Sequence, residues 1–238
     1  MSTWIKRELQ LFLHVEPTYP TGEKRPKYRG LSHLISFYTL PYIFFTVQSF
    51  FIRSVVSYLL TAIMITGFFA LFGISGHFHR LPKTLEEHYR WMRWDHSSIV
   101  YYIGVGVLPF GFLMIRNCPD PTIGYAFLIL NAMVLSSGVT YNMTKTLTER
   151  QSSTSIAFIV VQATVLFPFA YYLYPLLTTT ELVWLGIKYL LQLSGMLIYI
   201  FQWCDWSPET FGHHEVFHLF TILGSLSSMI LPSICARI

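Results

Sequence analysis

Apolar residues fall in long, nearly charge-free runs at roughly 31–52, 55–77, 96–115, 122–142, 155–175, 181–203 and 213–235. Each approaches the ~20 residues that a helix needs to cross ~30 Å of hydrocarbon. The pattern predicts an all-α membrane protein with seven transmembrane helices over residues 31–238, preceded by an N-terminal segment, 1–30. Pro41, Pro109 and Pro168 lie inside spans, where kinks are tolerated if neighbouring helices satisfy the freed carbonyls. No internal repeat interrupts the run of spans.

Two connectors carry patterns of their own. In residues 1–15, Ile5, Leu9, Phe12 and Leu13 fall on one helical side, opposite Lys6, Arg7, Gln10 and His14. That segment reads either as a helix lying in the membrane surface or as a polar terminus. Residues 16–29 hold Pro17, Pro20, Gly22 and Pro26 and read as an irregular connector. Residues 80–95 space Leu85, Tyr89 and Met92 for one face, with Trp91 and Trp94 at headgroup level, and predict a short surface helix ahead of the third span.

Composition agrees with the pattern. Only 12% of residues are charged and mean hydropathy is +0.48, where a soluble domain carries about 25% charge. The net charge of +4 does not imply a nucleic-acid partner, because the basic residues sit in short segments between apolar runs. Cys118, Cys204 and Cys235 are too few for a disulfide framework and lack metal-site spacing. The first 30 residues are polar and charged, so no cleavable signal peptide is expected.

With seven spans, alternate connectors share a side. Lys6, Arg7, Lys24, Arg25, Lys27, Arg29, Arg80, Lys83, Arg90, Arg93, Lys145 and Arg150, twelve in all, share the side of the N-terminus. Arg53, Arg116 and Arg237, three, lie opposite, and Lys188 lies within a span. The positive-inside rule then predicts a cytoplasmic N-terminus and an extracytoplasmic C-terminus.

The same topology places all nine histidines on the cytoplasmic side. His214 and His218 are one helical turn apart on a single face, the spacing by which two imidazoles on a helix converge on one ion. His79 ends the second span at the same depth. Together they form the three-histidine set of a catalytic zinc with an open fourth position. Asp95, at the start of the third span, is the candidate to accept a proton from a water there; the bland alternative is that it caps that helix. Ser75, one turn before His79, is a candidate to orient the ligand or the water. His77 points away from the face of His79, and His213 is the rival of His214 but has Phe217 at its i+4 position. His33 and His96 lie at the same depth without an assigned role.

The stretches RGLSH (29–33), SGHFH (75–79), RWDHSSI (93–99) and FGHHEVFHLF (211–220) resemble the haemolysin III family, which groups with the progestin and adipoQ receptors, including the adiponectin receptors, and more distantly with alkaline ceramidases. The likeness covers nearly the whole chain. It implies a seven-helix fold with the N-terminus inside, zinc on His79, His214 and His218, and Ser75 and Asp95 beside the reacting water. Relatives are regarded as zinc-dependent lipid amide hydrolases. Many relatives carry an acidic residue ahead of the first-span histidine, and RGLSH has none.

Three functions are consistent with these residues: metal-assisted hydrolysis of a lipid amide such as a ceramide in the plasma (inner) membrane, a receptor or signalling protein stapled by structural zinc, and a membrane-perturbing haemolysin. A permanent seven-span resident with no long inserting segment beyond its first 15 residues leaves little for the last of these.

Overall fold

The structure, a computed structural model, describes residue 14 and residues 16–81, 84–145 and 153–238. The surface helix expected over 1–15 lies outside these, apart from an exposed His14. Among the described residues every named element is helical. Helix α1 is Leu31–Ser49, and α2 spans Val55–Arg80 with a π-helical segment at Phe69–Ile74. Helix α3 runs Leu85–Gly106 and continues after a break as α4, Leu108–Asn117. Then come α5 (Thr122–Thr144), α6 (Ser153–Thr164), α7 (Thr179–Phe201), α8 (His213–Ser227) and the short α9 (Leu231–Cys235).

Five helical stretches are long and apolar enough to cross a membrane: Val55–Arg80, Leu85–Asn117, Thr122–Thr144, Ser153–Leu176 and Thr179–Phe201. The other two of the seven expected spans fall short for identifiable reasons. Helix α1 is 19 residues long but carries His33, Gln48 and several hydroxyls. Helix α8 gives way at Ser228–Ile230 to a 3₁₀ turn before α9. An integral, multi-pass membrane chain follows from the five alone.

One boundary differs from the sequence reading. The expected surface helix 80–95 and the third span are a single helix, because Thr84 and Glu87 form a reciprocal capping box and nothing between them and Gly106 breaks the helix. Asp95 is therefore not a cap: it lies mid-helix and buried. The break comes at Val107, ahead of Pro109, whose ring favours the first turn of a new helix. Pro168 and Pro175 similarly divide the end of the 153–176 stretch into 3₁₀ turns.

The core gathers Phe44, Phe68, Phe72, Tyr102, Phe110 and Phe127 from α1 to α5. Buried Asn131 is hydrogen-bonded across helices. Asn131 accepts from Gln162 at 2.6 Å and donates to the Gly104 carbonyl at 3.1 Å, so α5 is tied to both α6 and α3. In hydrocarbon such bonds specify neighbours. Helix α6 packs on α3 and α5, whereas α7 packs mainly on α8. The result is a seam between α6 and α7.

Candidate metal centre

Two glycines let α1 and α2 approach closely enough to form the site. Gly30 caps α1 with φ of 73°, a left-handed conformation that disfavours side chains, and a Cβ there would meet the His79 Cβ at 2.6 Å. A Cβ on Gly76 would meet the Leu34 backbone nitrogen at 2.9 Å. The π-helical turn just before Ser75 adds a residue to that turn and resets the face on which Ser75 and His79 project.

Helix α8 begins at this point. Glu215, 2% exposed, accepts the Gly212 backbone N–H at 2.8 Å and pairs through its other oxygen with Arg29. The first turn of α8 is thereby fixed against the connector, and His214 and His218 project from it toward α2. Tyr199 of α7 packs edge-on against His214, with ring centroids 5.2 Å apart.

His79, His214 and His218 each offer a ligand nitrogen, and these atoms all lie within 4.8 Å of one another. Ring centroids are 4.8 Å apart for His79 and His214, 5.2 Å for His79 and His218, and 4.6 Å for His214 and His218. A tetrahedral ion with Zn–N bonds of about 2.0–2.1 Å holds its ligand atoms about 3.4 Å apart, which rotations of rings already this close can reach. Nε2 of His79 and Nδ1 of His218 are buried and have no hydrogen-bond partner among the described residues. Buried polar atoms normally have one, so unpartnered nitrogens on two rings of a three-imidazole group fit a zinc-type ion.

The remaining expected residues are distributed as follows. Asp95 is buried, within hydrogen-bonding reach of the Ser75 hydroxyl, and its Oδ1 is unpartnered. Both residues line the same cavity as the three histidines. His77 is turned away, its Nδ1 2.6 Å from the Gly73 carbonyl and its ring stacked on Trp91. His213 is drawn to Asp205, with its Nδ1 3.3 Å and its backbone nitrogen 3.1 Å from the carboxylate. His33 lies within the group as a fourth ring, fully buried and stacked on His218 at 3.7 Å and 16°. His96 lines the cavity beside Asp95.

Two contacts were not apparent from the sequence. Tyr19, in the connector expected to be irregular, is buried and places its hydroxyl 3.3 Å from Nδ1 of His79. Arg29 and Glu215 form a buried ion pair across 186 positions of chain. Both contacts join residues far apart in the chain, so no local pattern signals them.

The cavity has a volume of about 660 Å³. From the histidines it runs past Tyr102 and Thr221 into the seam, where Ile156, Ile159, Val160 and Ala163 of α6 face Leu190, Leu193, Met196 and Ile200 of α7. Leu190, Leu193 and Ile200 are exposed. The apolar end of the cavity therefore lies between α6 and α7, among exposed side chains.

The fold and this centre define an integral, multi-pass membrane protein with a largely buried three-histidine group at the head of a mainly apolar cavity. Residues 22–229 match the haemolysin-III related family, and the chain belongs to that family. No curated protein matches the chain.

Proposed function

We propose that the protein is a zinc-dependent hydrolase of the membrane that cleaves an amide bond in a ceramide-like lipid. Its seven spans would be α1, the five long apolar stretches, and α8 with α9, with the N-terminus cytoplasmic, in the plasma (inner) membrane. The observation that carries this reading is the shared cavity: the three histidines, Asp95 and Ser75 sit at one end of a space whose other end is an apolar slot between α6 and α7, which we take to open toward lipid. A structural staple needs no such access.

His79, His214 and His218 would hold the ion. When bound there, zinc supplies a water acidified toward ~7 and a Lewis acid for a carbonyl. Asp95 is the proton acceptor, since its Oδ1 is unpartnered and faces the same space. Ser75, within reach of that carboxylate, would hold it in place. Tyr199 and the stacked His33 brace the ligand rings.

The slot between α6 and α7 receives an acyl chain. A chain entering from the bilayer gains little hydrophobic free energy, because it leaves one apolar medium for another. Recognition must then reside at the polar end of the cavity, where the amide would meet the histidines and Asp95. A volume of about 660 Å³ is in the ordinary range for a small-molecule site.

The test is metal content with turnover on purified, lipid-embedded protein. The expected result is about one zinc per chain and fatty-acid release from a ceramide-like amide, both abolished by His214→Ala. Full zinc with no release from ceramide-like substrates would remove the support for this substrate class.

A further inference from the structure

The connector 16–30 is composed of turn-forming residues, yet it delivers a buried aromatic ring to the metal centre. Its backbone closes into a small turn: Tyr19 N donates to the Glu23 carbonyl at 2.8 Å, Gly22 N to that of Tyr19 at 2.9 Å, and Arg25 N to that of Pro17 at 2.8 Å. The Tyr19 side chain is thereby turned inward, 8% exposed. Its ring is held on two sides, with the Arg25 guanidinium 4.4 Å above its centroid and the His88 ring edge-on at 5.5 Å. The hydroxyl lies 3.3 Å from Nδ1 of His79.

The connector is also anchored to both helices that carry the histidines. Lys27 N donates to the Glu209 carbonyl at 3.0 Å and Tyr28 N to that of Thr210 at 3.2 Å, just ahead of α8. Arg80, at the end of α2, donates to the Arg29 carbonyl at 3.1 Å. A side chain held so firmly has a fixed relation to the ring it touches.

An imidazole hydrogen-bonded at one nitrogen has its tautomer and ring angle set by that bond. In His79, Nδ1 meets the phenol and Nε2 is the buried atom without a partner. If Nδ1–H donates to the Tyr19 oxygen, the lone pair of Nε2 is free to bind an ion.

We propose that Tyr19 is a positioning residue of the metal centre, its oxygen accepting from Nδ1 of His79 and aiming Nε2 at the ion. This inference rests on the reading of the three histidines as metal ligands. Outer contacts of this kind change metal affinity by about 10–100-fold.

The test uses the full-length protein and Co²⁺ as a spectroscopic replacement for zinc. Tyr19→Phe should weaken Co²⁺ binding, measured by chelator competition, by about 10–100-fold, and should shift the visible bands of the bound ion. The melting temperature of the metal-free protein should stay where it is in the wild type, which a purely structural role would not leave unmoved. Unchanged affinity and an unchanged spectrum would overturn the proposal. Should Tyr19→Phe destabilise the metal-free protein, a ring-fluorinated tyrosine at position 19 keeps the packing but makes a poorer acceptor. It should weaken Co²⁺ in the same direction, and no change there overturns the proposal equally. A wild type that binds neither Co²⁺ nor zinc would sink the metal reading itself, whereas tight binding in wild type and variants alike would sink only the role of Tyr19.

Discussion

Arg29 and Glu215 form a buried ion pair that fastens the residue before Gly30 to the first turn of α8, 14% and 2% of their side chains exposed. Glu215 also accepts the Gly212 backbone N–H, so one carboxylate both starts α8 and fixes it to the start of α1. Removing one partner of a buried pair costs about 3–5 kcal/mol, because the other charge is left uncompensated. Glu215→Gln should sit near the lower end, since the amide oxygen can still cap Gly212. Glu215→Ala should be worse by about 1 kcal/mol for the lost cap. Thermal unfolding of the two variants in detergent checks the order. If Glu215→Ala were no less stable than Glu215→Gln, the capping contact would contribute nothing.

The two adjacent histidines at the start of α8 should behave differently. His214 faces His79 and His218, while His213 is held by Asp205. His214→Ala and His218→Ala should lose the ion, because two remaining imidazoles make an inadequate site. His213→Ala should retain about one zinc per chain by elemental analysis. The reverse outcome would mean that α8 is rotated by one position.

Much of this centre was legible because helical spacing alone puts Ser75 on the face of His79 and His214 on that of His218. What was not legible depends on chain closure over long separations. Nothing local in a stretch rich in proline and glycine shows that Tyr19 turns inward onto His79, 60 residues away. The stacking of His33 on His218 and the pairing of Arg29 with Glu215 are equally long-range. The continuity of the helix from Leu85 to Gly106 is hidden for a different reason: Trp91 and Trp94 mark a headgroup level within 80–95 and so suggest a boundary, whereas the helix begins at the Thr84 cap and runs on unbroken. Lengths of the long apolar helices were close to the run boundaries. The ends of the bundle were less so, since His33 and Gln48 in α1 and the turn at Ser228–Ile230 depart from an uninterrupted apolar span.

Orientation yields a prediction independent of the metal. Twelve basic residues share the side of the N-terminus and three lie opposite, an imbalance that favours retention of the basic side in the cytoplasm. A reporter that works only in the cytoplasm should be silent when fused after Ile238 and active when fused ahead of Met1. Activity at the C-terminal fusion would reverse the proposed topology and move the histidine group to the opposite leaflet.

The role of Asp95 separates a hydrolase from a zinc-stapled receptor. Its carboxylate is buried in α3 within reach of Ser75, has an unpartnered Oδ1, and shares the cavity of the three histidines. If Asp95 is the proton acceptor, it contributes little to holding the ion, and Asp95→Asn keeps its shape while removing its charge and basicity. That variant should keep its zinc and its melting temperature while ceramide-like amide turnover falls by ~10²–10⁴-fold, the usual worth of a positioned acid–base group. Were Asp95 instead a fourth ligand of a closed site, the same change would strip the ion and lower the melting temperature together. Ser75→Ala gives an independent reading of the same geometry. Loss of that hydroxyl leaves the carboxylate in place but less well held, so turnover should fall by less than in Asp95→Asn, with zinc again retained. Zinc content, melting temperature and fatty-acid release measured on the two variants give distinct patterns for the two roles, and zinc loss in Asp95→Asn would remove Asp95 as the base.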